Sequence, residues 1–245
     1  MNRISLCGPT VLSALFLCGS PQCLEAADVT VSPVRLLMVN GKNTVTLKVT
    51  NVFDRPTLFQ LQPQAWTQED GRDKTEPTTD MIAMPPIFQI EPGKTQIVRI
   101  ALRRGRDEQR ELTYRLFITE VPDETAARTE GIKSNLRISV PIFVRPEKKA
   151  LPVVDFSVEK AAEARLRLTV NNSGKAHILI GRLMLFRQGK DDAPFHDSAL
   201  SGYVLAGRSR SWVLDLAGPF GSEKIVLKAE TDDGNKEATL AVPSP

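Results

Sequence analysis

Two histidines, His177 and His196, are the only imidazoles in 245 residues, and imidazole is the side chain that most readily serves as general base or zinc ligand. An apolar run and a polar loop separate them, and neither has the HExxH-type spacing that would turn two nitrogens onto one metal. Both read as surface histidines in loops. Asp191-Asp192 and Asp232-Asp233 offer carboxylates for calcium, but nearby Gly189 and Gly234 mark them as turn residues. All three cysteines, Cys7, Cys18 and Cys23, crowd the amino terminus, leaving the rest of the chain without a thiol for a disulfide or a metal. No GxGxxG or P-loop spacing occurs. Without a nucleophile and base, paired carboxylates or a ligand cluster, the chain is expected to be no enzyme and to need no cofactor or metal.

The elements that carry the remaining polar residues are short and alternate. Val45, Leu47 and Val49 interleave with Thr44, Thr46, Lys48 and Thr50, the pattern of a half-buried strand. Tyr114, Leu116 and Ile118 repeat it, as do Leu136, Ile138, Val140, Ile142 and Val144. Turn signals separate these runs at Asn40-Gly41, Glu69-Asp70-Gly71 and Glu91-Pro92-Gly93. Such spacing predicts an all-β sandwich. Only Glu124 to Glu130 tolerates a helix, and without an apolar stripe it reads as a loop. Two prolines and a charge cluster from Arg145 to Pro152 interrupt the pattern. It resumes with Leu166, Leu168 and Val170, the turn Asn171-Asn172-Ser173-Gly174, an apolar run from Ile178 to Phe186, and a last hairpin around Asp232-Asp233-Gly234. The chain therefore divides into a first domain over 28–146, a linker over 147–152 and a second domain over 153–245.

Residues 1–27 read as an export signal: Arg3 gives a positive start, Val11 to Cys18 is mostly apolar, and Ala26 follows Leu24-Glu25 at the cleavage point. Leu17 before Cys18 is too large for lipoprotein processing. Cleavage removes one base, Arg3, and one acid, Glu25, so the net charge stays at +3. That balance is too slight to argue for nucleic acid. No apolar run approaches the roughly 20 residues of a membrane helix, so no stable membrane insertion is expected.

The row Leu136, Ile138 and Val140 has two readings on periodicity alone. It is the core face of its own sandwich, or it is an apolar strand face offered to a partner. A resemblance bears on the choice. Val31-Ser32-Pro33-Val34-Arg35, Val49-Thr50-Asn51, Gln64-Ala65-Trp66, the stretch Pro85 to Gly93 followed by Val98-Arg99-Ile100, and Leu112 to Pro122 resemble, in order, the strands of the periplasmic pilus-assembly chaperones of chaperone–usher systems. The resemblance covers about Val29 to Pro146 and is looser beyond the linker.

What it implies is an all-β protein of two immunoglobulin-like sandwiches set in an L, which binds pilus subunits by donor-strand complementation in the periplasm and delivers them to an outer-membrane usher. Leu136, Ile138 and Val140 then form the subunit-binding strand. Arg35 stands at the family's arginine that grips the subunit's terminal carboxylate, a task suited to the two-pronged guanidinium. The family's second anchor, a lysine two residues before the aromatic of the last strand, is replaced here by Pro141 before Phe143. A divergent branch with spore-coat-U-like pilins has a similar proline-containing strand, and Arg99, ahead of Arg137, is the expected substitute. Pro141 cannot donate to a ladder, so its blank side should face outward or mark where pairing stops. The rival reading is a tandem immunoglobulin-like structural or adhesive surface module, which would want disulfides, a donor strand of its own or an anchoring tail.

Overall fold

A computed structural model describes residues 29–122, 135–189, 193–221 and 224–242. The expected signal peptide, the loop from Asp123 to Gly131 and Asp191-Asp192 lie outside the described residues. Ten strands come before the linker: β1 (Val29–Ser32), β2 (Leu36–Met38), β3 (Thr44–Asn51), β4 (Thr57–Glu69), β5 (Arg72–Pro77), β6 (Met81–Met84), β7 (Ile87–Ile90), β8 (Thr95–Leu102), β9 (Leu112–Glu120) and β10 (Arg137–Val144). Seven follow it: β11 (Val154–Ala162), β12 (Arg165–Asn172), β13 (Ile178–Arg187), β14 (His196–Val204), β15 (Arg208–Asp215), β16 (Lys224–Thr231) and β17 (Lys236–Ala241). Among the described residues there is no helix.

The first ten strands make two sheets, one ordered β1-β3-β8-β6 and one ordered β2-β10-β9-β4-β5 with β7 also on β4. Their inner faces are the alternating residues picked out above: Leu47, Val49, Val98 and Ile100 from one sheet meet Phe59, Leu116, Ile118 and Ile142 from the other. Each is all but sealed from water, and burying a side chain of this size contributes about 1.5–3 kcal/mol. Sheets β11-β12-β15 and β14-β13-β16-β17 enclose a second, separate core around Leu166, Leu168, Ile178, Leu185 and Leu227.

The linker is tied down. Leu151 and Val153 accept backbone hydrogen bonds from Lys175 and Ser173, and Asn172, fully buried, accepts from Val153 and Gly174 while donating to Ala176 and Val204. A Cβ on Gly174 would stand 2.4 Å from Leu151 O and Val153 N, so only glycine lets the chain pass there.

Candidate functional site

β10 is paired unevenly. On one side β9 follows its whole length, from Arg137↔Thr119 to Val144↔Leu112. On the other, β2 runs parallel to it and covers only Ile142, Phe143 and Val144. From Arg137 to Pro141 that edge has no strand partner among the described residues. The direction of its backbone groups follows from two bonds. Glu120 N donates to Leu136 O, and Arg145 N donates to Met38 O. Even-numbered residues of β10 therefore turn their N–H and C=O toward β9, and odd-numbered ones toward β2 and the open edge. Arg137 and Ser139 present unpaired backbone groups outward. Pro141, also odd, puts its missing donor on this same edge, one residue before β2 takes over.

Side chains divide with the same parity. Ile142 and Val144 are core, and Leu136 and Ile138 lie half-buried at the core's rim beside the open edge. Val140 is 2% exposed and belongs to the same core. Along the expected subunit-binding row, burial in the free chain is therefore uneven. Val140 lies deep enough along the strand for the opposite sheet to cover it, while Leu136 and Ile138 lie nearer the open end.

The odd residues lie on the outer face, where Phe143 meets the second domain, and here the cations gather. β2 begins at Leu36 opposite Ile142, so Arg35, one residue earlier, continues that register to Pro141. On the far side of Pro141 the register partner is Arg115. Arg35, Pro141 and Arg115 thus form one row across three chain segments, with the outer two about 10 Å apart at two strand spacings. Arg35 Nη1 donates to Asp232 Oδ2 at 2.6 Å, across the domain boundary. Burial works against this guanidinium, but Asp232 and Tyr203 outweigh it and hold its pKa above the usual arginine value.

Arg115 is in the opposite position. Its side chain is 18% exposed and lies over Trp66, with Cζ 3.8 Å from the ring centroid. Burial, with Arg210 adding to it, pulls its pKa below the usual arginine value despite Asp73 and Tyr203. Asp73 is 3.8 Å away and is shared with Arg210 at 3.2 Å. Arg115 is therefore a partly desolvated cation with an incomplete partner, placed beside the position where the family's lysine is expected. Both Arg35 and Arg115 lie within electrostatic range of the Tyr203 hydroxyl.

Arg99 stands elsewhere. Its register partners are Thr46 and Met84, in the other sheet of the first domain, and with Val98 and Ile100 turned inward it faces outward into solvent. The structure does not bring it to Arg35. The residue that sequence reasoning passed over is Arg115. The available signal was the alternation of Tyr114, Leu116 and Ile118, which sends Arg115 to the opposite face.

Between the domains, Trp66, Phe143 and Leu205 form a small core of their own with Tyr203 against it. His177 belongs to this junction, which corrects its reading as a surface histidine. It is buried and stacked on Phe143 at 3.5 Å, with Nδ1 2.6 Å from Glu111 Oε1. Arg145 Nε approaches the other Glu111 oxygen at 3.4 Å. The β4–β5 hairpin adds a second contact: Gln68 donates to Tyr203 O and accepts from Leu205 N, and Gly71, at φ +73°, lets Ser211 come within bonding reach of its carbonyl. His196, by contrast, pairs locally with Ser198. Among the described residues no group of three or more His, Cys, Asp or Glu is arranged to hold a metal, and no helix is long and apolar enough to cross a membrane.

Two sandwiches joined through a small shared core carry, on the first, a strand edge with no strand partner among the described residues that ends at a cationic row. The chain belongs to the pili and flagellar-assembly chaperones, since its residues 28–150 match that family's PapD N-terminal domain. It is similar to chaperone protein MrkB of Klebsiella pneumoniae, 26% identical over 169 residues that cover 65% of this chain and 70% of MrkB. It is also similar to the fimbrial chaperone YcbF of Escherichia coli K12, 27% identical over 149 residues, 60% of each chain. The alignment thus spans about three-fifths of YcbF.

Among solved structures it resembles in fold the CsuC–CsuE chaperone–tip adhesion subunit complex from archaic chaperone–usher Csu pili of Acinetobacter baumannii, with TM-score 0.62 and 18% identity over 89% of this chain and 100% of that one. The SafB chaperone–SafA pilin complex of Salmonella enterica gives TM-score 0.58 and 19% identity over 88% and 96%. The two sandwiches are accordingly immunoglobulin-like.

Proposed function

We propose that the protein is a periplasmic chaperone, acting without catalysis, that holds incomplete pilus subunits by donor-strand complementation and delivers them to an outer-membrane usher. The observation that carries this reading is the open edge of β10 ending at the row Arg35–Pro141–Arg115. A subunit lacking one strand of its sandwich exposes a groove with unpaired edges. A strand laid along Arg137–Pro141 pairs its backbone with the outward groups of Arg137 and Ser139, while Leu136 and Ile138 close the groove's apolar floor. The strand must stop where β2 begins. A strand parallel to β10 then ends with its carboxylate between Arg35 and Arg115.

Arg115, lacking a full partner, gains most from that carboxylate, because charge-assisted bonds contribute about 1.5–3 kcal/mol each. Arg115→Ala and Arg35→Ala should each weaken subunit capture by about tenfold or more, and Arg99→Ala should leave it unchanged. Co-purification of a tagged subunit from the periplasm, with the chaperone's melting temperature as control, reads this. Capture that survives loss of Arg35 and Arg115 but fails with Arg99→Ala would move the anchor to the other sheet.

A further inference from the structure

We infer that Tyr203 is a third member of the carboxylate anchor, donating its hydroxyl proton to the subunit's terminal carboxylate between Arg35 and Arg115. The inference rests on the reading of those two arginines as the place where the subunit's chain ends, and it adds a contact from the second domain.

The alternation of β14 turns this side chain toward the first domain. Val204 is buried in the second core, and Gly202 lies so close to Trp212 that a Cβ there would stand 2.6 Å from the indole. Tyr203, between them, takes the opposite face. Its ring is enclosed by Trp66, Phe143 and His177, with centroids 5.8, 5.2 and 5.5 Å away. Its main chain is fixed as well. The carbonyl accepts from Gln68 Nε2 at 2.8 Å and from Arg210 Nη1 at 3.3 Å, and Leu205 N donates to Gln68 Oε1 at 3.0 Å. A ring held in this way presents its hydroxyl with little rotamer freedom left to lose on binding.

What meets the hydroxyl is cationic. Arg35 donates toward it, and Arg115 lies within electrostatic range. A guanidinium carries donors only, so the phenol oxygen is the acceptor there and the phenol's own proton needs a different oxygen. Among the described residues none accepts it. The carboxylates of this region are engaged elsewhere: Asp232 takes Arg35 and Leu179 N, and Asp73 takes Trp66, Gln68 and Arg210. Two guanidiniums and a hydroxyl thus offer donors alone. A carboxylate, with about four lone-pair sites, can accept from all three, whereas a carboxamide has one oxygen and brings donors of its own.

Two labelled ten-residue peptides of alternating valine and threonine, one ending in a free carboxylate and one amidated, test this by fluorescence anisotropy on the purified protein. The parent should bind the free acid roughly a hundredfold more tightly than the amide. Tyr203→Phe keeps the enclosed ring and removes only the hydroxyl, so it should melt close to the parent. It should bind the free acid about tenfold more weakly, and the amide as the parent does. The acid-to-amide ratio is read within each protein, so a small change in stability does not disturb it. The same ratio in parent and variant, whether both peptides weaken together or neither does, would overturn the role of Tyr203 and leave the two arginines. A parent without preference for the free acid, through equal binding or none, would overturn the anchor reading beneath it.

Discussion

Val140→Glu should unfold the first domain, whereas Leu136→Glu should leave it folded and unable to hold a subunit. The two positions are four residues apart, Val140 in β10 and Leu136 just before it, and the pattern of apolar residues treats them alike. Their surroundings do not. Val140 is enclosed by the domain's own core, so a carboxylate there is buried with no cation to meet it, at a cost of about 3–5 kcal/mol. That is a large part of the stability of an ordinary domain. Leu136 sits at the rim, half-exposed, and a carboxylate there turns into water at a cost of about 1 kcal/mol. Once a subunit covers the edge, however, the same carboxylate is trapped against an apolar groove and capture fails. Thermal melting beside subunit co-purification separates the two variants. A Val140→Glu protein that stays folded but loses capture would return Val140 to the partner-facing row.

Phe143→Ala should uncouple the two domains. The ring is fully buried, stacked on His177 and tilted against Trp66 and Tyr203. Deleting a ring of this kind costs about 3–5 kcal/mol, which for a cooperative unit of this size lowers the melting temperature by roughly 6–20 °C. The effect on function should exceed the effect on stability. Asp232, which holds Arg35, comes from the turn between β16 and β17 in the second domain, and only the junction keeps it opposite Arg35. The variant should also be cut faster by protease within 147–152, because that segment is held by the turn beside His177. Calorimetry should show one cooperative transition in the parent and two in the variant. A variant with one transition and undiminished capture would mean that the domains are coupled by the β4–β5 hairpin instead.

The strands were legible because each depends on a local alternation: Val45 to Val49, Tyr114 to Ile118 and Leu136 to Val144 all appear where their period placed them. Pro141 was legible too, since its ring allows only a strand edge or end. What could not be read were contacts made across the chain. His177, a lone imidazole in a polar turn, is buried by a glutamate 66 residues earlier. Asp232 looks like a turn residue beside Gly234, and it is one, but its carboxylate meets an arginine 197 residues away. The period that placed Val98 and Ile100 inward also sent Arg99 outward, yet nothing local says which of two sheets a strand joins. For the same reason Arg115 could not be set beside Pro141 until the β9–β10 register was known. Val140 shows the complementary limit: alternation assigns a face and does not say how far along the strand the opposite sheet extends.

Hydrogen exchange at the single-residue level, with and without a bound subunit, tests the central claim most directly. In the free chain the amides of Ile138 and Val140 point at β9 and should already be protected, while those of Arg137 and Ser139 point outward and should exchange freely. Adding a subunit should protect Arg137 and Ser139 strongly and change Ile138 and Val140 little, an alternation that only a strand paired along this edge produces. A bound subunit that leaves Arg137 and Ser139 exchanging as fast as in the free chain would contradict the account.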